Sequence, residues 1–249
     1  MSTFAYELQD NERRPEQFGL IVLETDETIE RDMRRLLPDS IDLFVSRVPF
    51  ATDVSPKTLQ AMDAHIAASA KLFPRAARFA VTAYGCTSGT AQIGPTRVTK
   101  LVRDGCATET VTDPVSALVA ACEALGVSNL AFLSPYVEDV SARLRHVLSG
   151  QGIGTSVVGT FDEPDDSNVA RIEPASTLQA AIDLAADSDA DAVFMSCTNL
   201  QTLDIITPLE TELGRPVLSS NLVLAWHMLR LAGLEANPSA PGRLWQAEH

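Results

Sequence analysis

Two cysteines stand at matching points of two apolar runs, and paired thiols are the groups of this chain best suited to do chemistry. Cys86 closes Phe79-Ala-Val-Thr-Ala-Tyr-Gly-Cys and is followed by Thr87, Ser88, Gly89 and Thr90. Cys197 closes Ala192-Val-Phe-Met-Ser-Cys and is followed by Thr198, Asn199, Leu200 and Gln201. Continuous apolar runs of this length predict buried parallel strands. A polar switch at the strand end is where open α/β sheets place ligands. Both motifs predict a helix start after the cysteine, which would stabilise a thiolate and lower its pKa. The backbone N–H groups of Thr87, Ser88, Thr198 and Asn199 would then be free to bind a carboxylate. Two thiols from two halves of one chain suit proton transfer or nucleophilic attack on opposite faces of a small substrate. Cys106 and Cys122 read as packing residues, Cys122 on the apolar side of a helix.

The elements that must position these thiols alternate between strand and helix, which predicts an α/β fold with mostly parallel strands. Strands are expected over 18–23, 41–48, 78–84, 129–133, 154–159, 190–195 and 216–219. Helices are expected over 25–37, 55–72, 113–125, 137–148 and 176–186, in a segment ending at 214, and over 220–232. Asp113 as N-cap, Pro114 at the first helical position and Gly126 after the last give the 113–125 helix clear boundaries. The order repeats: Asp26 aligns with Tyr136 and Cys86 with Cys197 at nearly the same offset. A duplicated α/β unit would bring both Cys loops to one cleft across a pseudo-twofold axis. The expected division is one lobe of residues 1–112 plus 220–249 and another of 113–219.

Composition narrows the function. The 249-residue chain is 45% hydrophobic and 21% charged, as expected of a globular protein, with a formal net charge of −14. That charge argues against nucleic acid, which needs clustered Lys and Arg. The first ten residues lack the basic and apolar regions of a signal peptide, and Val217–Leu234 is interrupted by Asn221, His227 and Arg230, so neither export nor membrane insertion is expected. The four cysteines include no CxxC, and His65, His146, His227 and His249 are scattered. Free thiols in a reducing cytoplasm and no metal site are therefore expected. The glycine string over 150–159 follows a helix and leads into a strand, the reverse of a dinucleotide loop. The acidic residues over 161–166 read as a solvated loop.

Tyr84-Gly-Cys-Thr-Ser-Gly-Thr90 and Ser196-Cys-Thr-Asn-Leu-Gln-Thr-Leu203 resemble the motifs of the aspartate/glutamate racemase superfamily, in its maleate cis–trans isomerase and arylmalonate decarboxylase branch. The resemblance implies two pseudo-symmetric α/β subdomains with parallel sheets, an active site in the cleft between them, no cofactor, a small carboxylate as substrate, and a possible homo-oligomer. Carried over by position, it makes Cys86 and Cys197 catalytic. It gives Thr87, Ser88 and Tyr136 to carboxylate binding, adds Asn168 as a substrate contact, and makes Thr25, Asp26, Thr198 and Asn199 further substrate-binding residues. Arylmalonate decarboxylases have glycine at the position of Cys86, so two thiols imply isomerisation, racemisation or epimerisation. Glutamate racemases carry His where this chain has Asn199.

One departure bears on substrate. Maleate isomerases read roughly Pro-Ser-Ser-Asn after the first strand, whereas this chain reads Leu23-Glu-Thr-Asp26. A carboxylate there suits a ligand with a cationic or amidine end, as in the ectoine-utilisation proteins of the superfamily; the alternative is that Asp26 only caps the next helix. A decarboxylase of the arylmalonate type and a non-catalytic two-lobed binding protein are the competing functions.

Overall fold

The structure is a computed structural model that describes residues 1–8, 14–235 and 237–247. The first half runs β1 (Glu16–Leu23), α1 (Ile29–Leu36), β2 (Ile41–Val48), α2 (Pro56–Ala61), α3 (Asp63–Ala70), β3 (Phe79–Gly85), α4 (Thr87–Ile93), α5 (Pro95–Gly105) and β4 (Thr108–Thr112). Helix α6 (Pro114–Leu125) leads into the second half. There follow β5 (Asn129–Ser134), α7 (Glu138–Gly150), β6 (Gly154–Thr160), α8 (Asp166–Val169), α9 (Pro174–Ala185), β7 (Ala192–Met195), α10 (Ile206–Leu213), β8 (Val217–Ser219) and α11 (Ser220–Leu231).

The strands form two parallel four-stranded sheets of the same order, β2-β1-β3-β4 and β6-β5-β7-β8. The two sheets thus repeat one another, as a duplicated unit predicts, with β1 matching β5 and β3 matching β7. Parallel strands covered on both faces must be apolar on both faces. The central strands obey this: β1 is buried from Gln17 to Leu23, and β5 from Leu130 to Ser134. The edge strand β6 alternates between exposed and half-buried residues because one of its faces is solvated. Phe18, Phe79 and Phe73 fill one core; Phe132 and Phe194 fill the other. Helix α11 follows β8 but packs on β3 and β4, crossing back to the first sheet, where it also meets α6.

Local chemistry sets most boundaries. Asp113 accepts the N–H groups of Val115 and Ser116, both at 2.9 Å, Pro114 opens α6, and Gly126 closes it at φ 66°. Three expectations need correction. The helix expected from Thr25 begins at Ile29, because residues 24–28 are held as a loop by contacts to the other half. The helix expected over 55–72 is two helices meeting at Met62. Strand β4 was not anticipated: Thr108-Glu-Thr-Val-Thr112 has one apolar residue and so no apolar run, and it pairs through its backbone with β3.

Candidate active site

The C-terminal ends of the central strands of the two sheets meet in a cavity. Its wall comprises Leu23, Asp26, Phe50, Val54 and Leu59, then Cys86, Thr87 and Ser88, then Tyr136, Asp166, Cys197 and Thr198. The free space is about 10 Å³, enough for roughly one water molecule. Phe50, Val54 and Leu59 come from β2–α2, and this segment is tied to the other half by Val54 N–H to Pro164 O at 2.9 Å and Asp166 N–H to Thr52 O at 3.0 Å.

Cys86 is the N-cap of α4, and its Sγ accepts the Gly89 N–H at 3.2 Å. A Cβ on Gly89 would stand 2.9 Å from that sulfur and 2.8 Å from Met62, so only glycine permits the approach. The expectation of a helix start is met here. It is not met at Cys197, where a turn follows and no helix begins until past Thr202. Cys197 instead stands at φ 113°, a left-handed conformation that costs a non-glycine residue on the order of 1–3 kcal/mol and points to a constrained functional position. Its Sγ accepts the Asn199 N–H at 3.3 Å and lies 3.0 Å from the Tyr136 hydroxyl. Ser220 joins the two thiol loops: its Oγ accepts from Thr87 Oγ1 at 2.7 Å and from the Cys197 N–H at 3.0 Å. Ser220 was read only as a helix start, and nothing in its sequence context marked this bridge.

Four of the remaining expected residues sit in the wall or support it. Asp26 Oδ1 accepts the N–H groups of Thr28 and Ile29, while Oδ2 accepts Thr198 Oγ1 from the other half at 2.8 Å. Asp26 therefore both holds the chain entering α1, whose N-cap is Thr28, and faces the cavity. Asn199 is a strut: its Oδ1 accepts the Glu27 N–H at 2.8 Å and its Nδ2 donates to Asp166 O at 3.0 Å. Thr25 stands behind the wall and donates to Asp166 Oδ2 at 2.5 Å.

Two corrections concern the 161–172 segment. Asn168 is not in the cavity wall; its side chain turns outward and accepts from Arg171 at 2.5 Å. Asp166, assigned to a solvated acidic loop, is 1% exposed and lies in the wall. Positions two apart on a short helix face opposite ways, so only one of this pair can point inward. Asp166 Oδ1 accepts the Tyr136 hydroxyl at 2.5 Å. Tyr136 has one proton, so its commitment to Asp166 removes it as a ready donor to a substrate carboxylate.

The electrostatics are one-sided. Among the described residues no Lys, Arg or His lines the cavity, yet two carboxylates do. Burial pushes the Asp26 carboxyl up to about 6, against the opposing pull of the Ile29 and Thr28 N–H groups. Burial pushes the Cys86 thiol up to about 12, and the negative charges of Asp166 and Asp26 add to this. The Cys197 thiol is raised well above its ordinary value, first by burial and then by Asp166. Both shifts favour the thiol over the thiolate. A carboxyl whose pKa is higher folded than unfolded stabilises the fold only when protonated: the contribution is full below about 4 and lost as pH rises through about 6. Asp26→Asn should therefore raise stability at pH 8 by on the order of 1–3 kcal/mol, with the gain disappearing toward pH 4. Denaturant melts at both pH values check this; an equal effect at both would mean that the Asp26 charge is not strained by burial.

Among the described residues, no helix is long and apolar enough to cross a membrane, and no group of three or more His, Cys, Asp or Glu side chains could hold a metal ion. All four cysteines are free.

Comparison with known proteins places this geometry. Over 92% of this chain and 95% of its own length, a maleate isomerase from Alcaligenes faecalis is 25% identical. An arylmalonate decarboxylase from Bordetella bronchiseptica is 31% identical over 47% of this chain and 50% of its own length. Among solved structures, a Nocardia farcinica maleate cis–trans isomerase mutant with a covalently bound succinylcysteine intermediate superposes with a TM-score of 0.81 at 25% identity, covering 94% of this chain and 99% of that one. A double mutant of arylmalonate decarboxylase in liganded form gives a TM-score of 0.83 at 26% identity, covering 94% and 100%. The family model for arylmalonate decarboxylase matches residues 18–245, and with both sheets and both thiol loops inside that span the chain belongs to the arylmalonate decarboxylase family.

Proposed function

We propose that this protein is an isomerase, racemising, epimerising or cis–trans isomerising a small carboxylic acid without a cofactor. The observation that carries this reading is the presence of two thiols, Cys86 and Cys197, in one cavity, each delivered by the equivalent strand of a repeated unit. With a substrate that has a proton on its α-carbon, one sulfur as thiolate removes that proton and the other as thiol returns one to the opposite face. With an activated double bond, a thiolate adds, the C–C bond rotates and the thiolate leaves. Covalent succinylcysteine in the Nocardia relative supports the second route for that enzyme. Either route builds charge on the substrate carboxylate, and a donor aimed at such charge is worth about 3 kcal/mol. Ser88 and the first N–H groups of α4, which have no partner within the helix, are the donors on hand.

The substrate we infer has one carboxylate and one cationic or amidine end, the class of ectoine-type compounds. Asp26 and Asp166 in a wall without a basic residue support this. A positive group between them would offset their desolvation and ease thiolate formation. Free thiols suit a reducing cytoplasm. The test is incubation in D₂O with maleate, aspartate, an arylmalonate and ectoine-type amidine carboxylates. Deuterium at the α-carbon with inversion is the expected result for an amidine carboxylate; conversion without deuterium indicates thiol addition, and CO₂ release from the arylmalonate would replace this reading with decarboxylation.

A further inference from the structure

We propose that Ser220 and Asn221, the first two residues of α11, are positioning residues that clamp Cys197 in its left-handed conformation and fix it relative to Cys86. The link to turnover rests on the two-thiol reading; the clamp itself does not. Its basis is a pair of bonds on either side of the strained residue. Ser220 Oγ accepts the Cys197 N–H at 3.0 Å, and Asn221 Nδ2 donates to Thr198 O at 2.8 Å. The chain is thus held just before the Cys197 φ rotation and again one residue beyond it.

The end of β8 explains the first bond. Strands β7 and β8 are parallel, and Val193 N–H donates to Pro216 O at 3.0 Å. A parallel ladder advances two residues at a time on each strand, so the Cys197 N–H falls opposite residue 220. The chain has by then turned into α11, where the backbone carbonyl of Ser220 accepts within the helix. The Ser220 side chain takes the place of that ladder carbonyl. At the second bond, Asn221 Nδ2 donates also to Asp32 Oδ2 at 2.8 Å. Thr198 O can only accept, so the amide must present its NH2 end there. Asn221 Oδ1 is buried and has no partner among the described residues, so the side chain is placed by its donors alone.

A non-glycine residue at φ 113° relaxes unless its surroundings over-determine it. The bond from Asn199 N–H to Cys197 Sγ lies within the loop and moves with it. The clamp is anchored outside the loop, because α11 packs on α1, β3 and β4 of the first half, and Asp32 belongs to α1. Thr198 Oγ1 and Asn199 also reach the first half, through Asp26 and Glu27, but both lie after Cys197. Among the described residues, Ser220 is what holds the N–H about which φ turns. The same Ser220 oxygen accepts from Thr87 Oγ1 at 2.7 Å, beside Cys86. One buried oxygen therefore ties the neighbour of one thiol to the backbone of the other.

Glycine carries no steric penalty at positive φ, so it reports the strain at position 197. With Ser220 and Asn221 in place, Cys197→Gly should exceed Cys197→Ala in folded-to-unfolded ratio by about fivefold. Adding Ser220→Ala to both variants frees φ to relax and should abolish this advantage. Denaturant unfolding of the four proteins measures it, and a second set carries Asn221→Ala in place of Ser220→Ala. Loss of the advantage in either set is the expected result. Its survival in both sets, or its absence while Ser220 and Asn221 are intact, overturns the clamp. No substrate is needed, so this comparison stands if the isomerase reading fails. Turnover tests the positioning role. Asn221→Ala alone leaves both thiols and Thr87 in place, and should lower kcat by on the order of 10- to 10²-fold with KM little changed, as a displaced sulfur does. A merely structural loss would shift the unfolding midpoint and leave kcat unchanged. That outcome overturns the positioning role and leaves the two-thiol mechanism intact.

Discussion

Replacing either Cys86 or Cys197 with alanine should lower turnover by on the order of 10²- to 10⁴-fold, the usual contribution of a positioned acid or base, while leaving the fold intact. Both sulfurs line the one cavity, from different halves, so neither can take over the other's face of the substrate. The stability readout separates the two positions. Cys197 stands at φ 113°, whereas Cys86 stands at φ −150°, where any residue is comfortable. Cys197→Gly should therefore be more stable than Cys197→Ala by about 1 kcal/mol although equally inactive, and Cys86→Gly should show no such advantage. Steady-state rates together with denaturant melts of the four variants make the measurement. Near wild-type turnover in either alanine variant would falsify the two-thiol mechanism.

Ligand selectivity should follow the two wall carboxylates. At an effective dielectric constant of 20, like charges 4 Å apart repel by about 4 kcal/mol. A dicarboxylate such as maleate brings two negative charges to a wall that holds Asp26 and Asp166 and no basic residue. Wild type should bind maleate at least on the order of 10²-fold more weakly than a ligand with one carboxylate and one amidinium end. Asp26→Asn should narrow this gap from both sides, strengthening maleate and weakening the amidinium ligand, and Asp26→Asn combined with Asp166→Asn should reverse the preference. Calorimetric titration of both ligands into the three proteins decides the matter. Tight maleate binding by wild type that Asp26→Asn does not alter would leave Asp26 with only its bonds to the Thr28 and Ile29 N–H groups.

What the sequence determined by itself is local. Apolar runs over the central strands and Pro114 and Gly126 at the ends of α6 each follow from the chemistry of a few adjacent residues, and each is legible in one dimension. The repeated spacing of the two Cys loops likewise pointed to two equivalent sheets, because a duplicated unit preserves offsets. Tertiary structure alone decided which polar residues enter the cavity. Asp166 sits among acidic neighbours that are solvated, and only the meeting of the 161–166 segment with Thr25 and Tyr136 buries it. Asn168, two residues on, is turned out by the direction of one short helical turn. Ser220 bridges Thr87 and Cys197 across 133 and 23 residues of chain, and Asn199 reaches Glu27 across 172. Such bonds carry no periodic signal, since a single polar side chain satisfies a distant backbone group without constraining its own neighbours. The thiols are therefore visible in the sequence, whereas the polar groups packed around them became visible only when the two halves were brought together.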